Sequence, residues 1–454
     1  MLKKIMSTSL VVIMFFFLGI NGIEARESDL LSNGISENEL FNQRAVFGLP
    51  TNSLQKSESG EMRVSQKYGF YLTETEELAL DERFKKQDEY IPKLKEEITS
   101  TPDLKEGYLG MYIDQTEGGV VYIGFKKDMQ GLQTKQTRDS QVKELQNATN
   151  NELTLKIYEA TYSEQELDEA TNTISQNVQQ LKEDGVPIEY VNLDFINQKI
   201  VIGIDGEVDQ QYVSKISKLV SIDPAVIELK KISPNYSTYE EERYFTYPRI
   251  HAGLVIDINP NTTGNCSVGF SAIDSSSNPY IVTAEHCWPK QVGTGIYQGS
   301  NYIGVLSSKK HYGNEVDAVA VRVTSNDILS SKVYGEAQRF TGVQVAGDDV
   351  LGERVCKAGM WGNRCGTLQS KNHSAYWGHD NPYGKTWFTS LRVANYLSSG
   401  GDSGGTIWND KTGTLKGVHK GSYENEEGTT LRVYSHVTHV QNRLGVTPVT
   451  WLPN

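Results

Sequence analysis

The first 250 residues contain no cysteine, no tryptophan and no histidine. All four Cys, all six Trp and all eight His of the 454-residue chain lie at or after His251. Positive charge is scarce as well, with 44 Lys+Arg against 57 Asp+Glu, which argues against a nucleic-acid footprint built from clustered basic side chains. The acidity is uneven: residues 250–454 hold 17 basic and 16 acidic side chains, leaving 27 and 41 in front of them. No CxxC pair occurs among the cysteines, which argues against a zinc site. Length alone suggests two or three domains. An acidic, cysteine-free front half therefore precedes a near-neutral, aromatic back half able to hold its own core.

Long apolar runs are also missing, apart from one at the start. Lys3 and Lys4 precede the run Leu10 to Leu18, then Gly19, Gly22 and a cleavage position after Ala25. That order is a secretory signal over residues 1–25. The rival reading, an uncleaved membrane anchor, needs a longer run. Export makes two disulfides the expected fate of Cys266, Cys287, Cys356 and Cys365. His251, His311, His373, His379, His436 and His439 show no ligand spacing, and no metal or other cofactor is expected.

Residues 26–65 are polar and read as a leader or linker. Residues 73–98 are helix-permissive, and Tyr108 to Phe125 read as a hairpin turning at Gly118-Gly119. A helix should start at Ser163, where Glu166 completes a capping box, and run through Leu167, Ala170, Ile174, Val178 and Leu181 to Gly185. A second hairpin turns at Asn197-Gln198. Tyr122-Ile123-Gly124-Phe125 echoes Val201-Ile202-Gly203-Ile204, which suggests two related α+β units unless short strands simply look alike. After residue 250 the texture becomes short alternating segments between Gly, Asn and Ser clusters, the mark of an all-β barrel or sandwich. A terminal helix over 437–444 would stop at Gly445.

Amide hydrolysis needs a nucleophile, a base, a group orienting that base, and donors for the oxyanion. Gly401-Asp402-Ser403-Gly404-Gly405 offers a serine between glycines that let the backbone turn sharply. Thr283-Ala284-Glu285-His286-Cys287 ends an apolar strand on a histidine. Asn314-Glu315-Val316-Asp317 opens another strand on an aspartate. The order His286, Asp317, Ser403 is that of one of the convergent triads.

With these motifs, residues from about 250 to 445 resemble the chymotrypsin-like serine proteases, most closely the bacterial branch of α-lytic protease and the streptogrisins. Cys266-Ser267-Val268-Gly269-Phe270, and Val355-Cys356-Lys357-Ala358-Gly359 with Cys365-Gly366-Thr367, look like that branch's disulfide segments. The resemblance implies an all-β two-barrel (chymotrypsin-like) protease domain preceded by an α+β pro-region. It implies His286 as base and then acid, Asp317 as its orienting partner and Ser403 as nucleophile. Gly401 and Ser403 N–H groups would form the oxyanion hole. Disulfides Cys266–Cys287 and Cys356–Cys365 are implied too, as is a Lys357–Asp402 pair supporting the nucleophile loop.

Three positions depart from the family pattern: Glu285 replaces a small residue before the base, Leu397 stands where relatives keep a cysteine, and Lys420 replaces the usual serine. The resemblance points to Ser398, His419, Lys420 and Ser422 as substrate-binding, Lys420 through its backbone. His419 falls where glutamate-specific members carry a histidine, so a glutamate P1 preference with pH-sensitive affinity near neutrality is expected. A buried structural His419 and a small-aliphatic P1 preference is the alternative.

The expected layout is signal peptide 1–25, pro-region 26–249 acting as folding assistant and inhibitor, and protease 250–454. The junction falls between Glu242 and His251, with Glu240-Glu241-Glu242 as a self-cleavage site. A permanent substrate-binding domain is the rival for the front half, and an inactive binding homologue for the whole chain. Expected partners of the secreted monomer are protein or peptide substrates and its own pro-region, with no nucleic acid and no membrane after signal cleavage.

Overall fold

The computed structural model describes residues 37–51, 62–126, 143–231, 247–260, 264–288, 292–377, 384–424 and 430–450. The expected signal, Glu240-Glu241-Glu242 and His379 lie outside the described residues.

The front half begins with helix α1 (Glu37–Val46), where a leader was expected. Its Leu40, and Phe47 just beyond it, are buried; tertiary contact compensates for a weak intrinsic pattern. Helix α2 (Glu74–Ser100) starts at a capping box between Thr73 and Glu76 and buries Leu80, Phe84, Ile91, Leu94 and Ile98. Those spacings of three, four and seven lay one stripe against the core.

Two units of like topology follow. In the first, β1 (Tyr108–Asp114) and β2 (Val120–Lys126) form an antiparallel hairpin, and β3 (Leu155–Ala160) joins β2 in parallel. In the second, helix α3 (Glu164–Gln176) has the expected Ser163–Glu166 capping box. Asn177 breaks it from a short helix over Val178–Glu183, so the single long helix expected here is two. Strands β4 (Ile188–Asp194) and β5 (Lys199–Ile204) then pair antiparallel, and after helix α4 (Gln210–Val220), strand β6 (Ile227–Lys231) joins β5 in parallel. The echoed glycines have equivalent jobs: a Cβ at Gly124 would lie 2.7 Å from the Tyr158 ring, and one at Gly203 2.1 Å from the Tyr190 ring.

The back half is all β until its last helix. Strands β7 (Phe270–Ile273), β8 (Pro279–Thr283), β9 (Gly295–Gln298), β10 (Asn301–Gly313) and β11 (Val316–Val323) build the first barrel. They hydrogen-bond in the order β9-β10-β11-β8-β7, with a C-terminal strand Thr447–Pro448 on β7. Strand β11 is buried on both faces from Val316 to Val321, which explains its apolar run from Ala318 to Val321.

Strands β12 (Arg354–Gly359), β13 (Gly362–Trp377), β14 (Thr386–Ala394), β15 (Thr406–Asn409), β16 (Thr414–Glu424) and β17 (Thr430–His436) build the second barrel. It closes where β12 pairs with β13. Helix α5 (Val437–Leu444) ends at Gly445 in the left-handed region, as the sequence indicated.

The two halves share a sheet. Strand β13 pairs with β4 through His373–Asn192, Ser374–Val191 and Ala375–Tyr190, so β4, β5 and β6 extend the second barrel's sheet. Val191 and Ile202 pack in one apolar cluster with Val355, Leu368, Ile407 and Tyr434. Arg354 of β12 is fully buried between Tyr68, Phe84 and Asp410, donating to the Tyr68 hydroxyl at 2.6 Å. Among the described residues no helix is long and apolar enough to cross a membrane.

Candidate active site

The cleft residues come from both barrels. His286 follows β8 and Asp317 opens β11; these strands are neighbours, pairing through Thr283–Val319. Ser403 lies on the loop before β15, and the register of β15 with β16 brings His419 and Lys420 beside it.

Asp317 is buried and accepts from the His286 backbone N–H at 3.0 Å and from His286 Nδ1 at 2.6 Å. An ionised carboxylate can only accept, so the Nδ1 atom carries the ring proton. Nε2 then faces Ser403 Oγ as an acceptor at 2.9 Å. The arrangement can draw a proton off Ser403 and hold the resulting imidazolium. Burial alone would raise the Asp317 carboxyl, but His286 and Lys420 outweigh it and keep it well below the usual carboxylate range. Glu285, buried beside the base, turns away to Lys310 Nζ at 2.9 Å.

The loop that carries Ser403 is held by Asp402. Its carboxylate accepts from Lys357 Nζ at 2.7 Å, Trp361 N at 3.0 Å and Ser399 N at 2.9 Å. Lys357 and Asp402 are both fully buried. Ser267 Oγ donates to the Gly401 carbonyl at 2.7 Å, fixing that peptide. Gly401 has φ +88°, and a Cβ there would sit 2.2 Å from Met360 Sδ, so only glycine fits. Among the described residues neither the Gly401 nor the Ser403 N–H group donates to another backbone carbonyl.

Both expected disulfides are present, Cys266–Cys287 and Cys356–Cys365. One cluster among the described residues could otherwise suggest a metal, Cys356, Cys365 and Asp410, but its sulfurs are joined to each other.

Ser398 and Ser422 are half-buried and His419 is buried. His419 Nδ1 meets the Tyr396 hydroxyl at 2.9 Å. Burial keeps that phenol protonated, so it donates and leaves the His419 proton on Nε2. Burial first, then Lys357 and Arg432, push the His419 imidazole well below its ordinary value. The expected titration of His419 near neutrality is therefore corrected for the free enzyme: the ring is neutral there.

Two buried cations near His419 were missed by sequence reasoning. Arg432, buried on β17, pairs with Ser422 of β16 and Ala394 of β14. Its charge reaches both His419 and Tyr396. Only strand register could have revealed it. Lys420 was assigned a backbone role, but its side chain turns to Asp317 Oδ2 at 2.7 Å. Leu397, where relatives keep a cysteine, instead packs against Leu40 and Tyr71 of the front half.

Residues 264–444 match the family model described as Trypsin. Nocardiopsis protease is 31% identical, with 44% of this chain and 100% of that one covered at a TM-score of 0.37. The chain belongs to the trypsin-like serine proteases. It is also similar to Thermobifida fusca Protease A, at 26% identity over 45% of this chain and 100% of that one, TM-score 0.37. A third similar protein is a glutamic acid specific serine protease described as using a histidine triad in substrate binding, at 23% identity, 44% and 100% coverage and TM-score 0.35. A search of curated proteins found no match.

Proposed function

We propose that this trypsin-like protease is a secreted serine endopeptidase, made as a proenzyme, that cleaves after acidic residues with glutamate preferred. The hydrogen-bonded chain Asp317–His286–Ser403 carries the reading of activity. In that reading His286 takes the Ser403 proton as Oγ attacks the substrate carbonyl, and the Gly401 and Ser403 N–H groups stabilise the oxyanion. His286 then protonates the leaving amine, and water releases the acyl-enzyme by the same steps in reverse. This is the general mechanism of Ser-His-Asp triads, applied to residues of this chain.

Arg432 supports the acidic preference, because a buried guanidinium in register with Ser422 favours a carboxylate nearby. His419 Nε2–H and the Ser398 and Ser422 hydroxyls offer further donors. Residues 26–249 act as the pro-region, with the signal at 1–25 and the protease at 250–454. Three observations support that role: the shared sheet, the burial of Arg354 under Tyr68 and Phe84, and the contact of Leu397 with Leu40 and Tyr71.

The test has two arms. A fluorophosphonate should label the protein, and Ser403→Ala should abolish labelling; an unlabelled wild-type protein would mean an inactive binding homologue. A peptide series differing only at P1 should be cleaved at least about tenfold faster after Glu than after Ala or Phe, and Arg432→Ala should erase that margin. Faster cleavage after Ala points to the small-aliphatic pocket instead.

A further inference from the structure

Lys420 is buried beside Asp317 and against aromatic rings. Its side chain is 2% exposed, and Nζ lies 2.7 Å from Asp317 Oδ2. Three aromatic rings surround the ammonium: Phe388 of β14 at 3.9 Å, Tyr312 of β10 at 4.9 Å and Trp377 of β13 at 4.9 Å to the ring centroids. Cations over ring faces are attracted by the ring quadrupole, most strongly when desolvated. The cage draws on both barrels, since Tyr312 belongs to the first and Phe388 and Trp377 to the second. The same Asp317 oxygen that faces His286 Nδ1 faces Lys420 Nζ.

From this geometry we infer that Lys420 is a positioning residue of the catalytic machinery, a caged cation that shares the Asp317 carboxylate with His286 and sets the pH at which the base works. The inference rests on the triad reading above. An anion beside an imidazole favours its protonated form, and a cation on the far side of that anion offsets part of the effect. With Lys420 charged, the Asp317 carboxylate is shared; without that charge it faces His286 alone, and the acid limb of activity should move up. Burial lowers the lysine's own proton affinity and Asp317 raises it, with burial the larger.

Other charges face this group. Glu285 and Lys310 are paired next to the base, and Lys357 and Asp402 are paired beneath the nucleophile loop. His419 precedes Lys420 on β16, Arg432 lies on β17, and His311 lies on β10 beside Glu315 and Arg443. Substitutions at Lys420 leave all of these in place, so a difference between variants reports Lys420.

The full chain should be produced with Lys420→Met, Lys420→Ser and Lys420→Arg. Fluorophosphonate titration counts reactive Ser403 sites, and the pH dependence of kcat/KM and of the labelling rate is normalised to that count. In Lys420→Met and Lys420→Ser the acid limb of both profiles should move up by about one pH unit. The variants would then be about tenfold slower than wild type at the acid end, per titrated site. Lys420→Arg, which keeps the charge, should hold the limb near its wild-type position. Fewer titratable sites with an unmoved acid limb would show a purely structural lysine and overturn the inference. So would a limb displaced equally by Lys420→Arg. Absence of labelling in the wild-type chain would instead overturn the triad reading itself.

Discussion

Gly401 shows how one backbone angle constrains the chemistry. At φ +88° an added Cβ is strained, and it would also meet Met360 Sδ at 2.2 Å. Gly401→Ala should therefore shift the peptide proposed to carry an oxyanion donor and lower kcat by about 10²–10³-fold. Adding Met360→Ala relieves the contact but not the angle, so the double variant should recover only part of the loss in a steady-state assay. Full recovery would mean that the φ angle does not matter. At this scale the sequence was legible wherever motif and chemistry coincide, as in the glycine-flanked Ser403 and the histidine ending a strand at His286. It was illegible where a side chain's direction depends on a register shift. The bulge between His419 and Gly421 belongs to the pairing of β16 with β17, and here Lys420 meets Asp317 instead of serving through its backbone alone. Arg432 carries no motif at all, and only the pairing of β17 with β16 puts it beside Ser422.

Among elements, helix α2 meets the protease half at a buried acid. Asp88 Oδ1 accepts from Asn409 Nδ2 at 2.7 Å, in the wall of a cavity of about 410 Å³ that also includes Glu353, Arg354 and Lys416. Burial pushes the Asp88 carboxyl up to about 6, against the pull of Asn409, Arg354 and Lys416. A carboxyl raised in the folded form favours folding most below its ordinary value, and that contribution is lost as pH rises through about 6. In the uncleaved Ser403→Ala chain, the melting temperature should thus carry an increment that grows from pH 7 to pH 5. Asp88→Asn should remove that increment and raise the melting temperature at pH 7; an unchanged pH dependence would contradict the assignment. Elements with strong local signals were readable from sequence: the helix over 73–98, the capping box at Ser163, both hairpins, and the Gly445 stop. Helix α1 was not, because its stability comes from burying Leu40 and Phe47 against distant chain. Nor was the Asn177 break, since Val178 and Leu181 continue the apolar spacing of α3 through it.

At the level of the whole molecule, two barrels depend on long-range pairing. β11 bonds to β8 and β10, and the cleft is complete only when both barrels have closed. Such topologies fold slowly, while β4, β5 and β6 offer a preformed edge for β13. Residues 250–454 refolded alone should yield few fluorophosphonate-reactive sites, and addition of residues 26–249 should raise the yield by at least about tenfold. Equal yields would leave the front half without a folding role. Composition announced the division into two halves, but not the sheet they share, since an exposed strand edge leaves no trace in the sequence of either partner.

That shared sheet has a consequence for any form of the protein that loses residues 188–231. Detaching residues 188–231 would turn β13 from an internal strand into a border, uncovering backbone donors and acceptors at His373, Ser374 and Ala375 that now meet β4. A bare border invites another chain to dock and polymerise. Loss of those strands would thus create a sticky seam, and colloidal behaviour should then depend on whatever next covers those three residues.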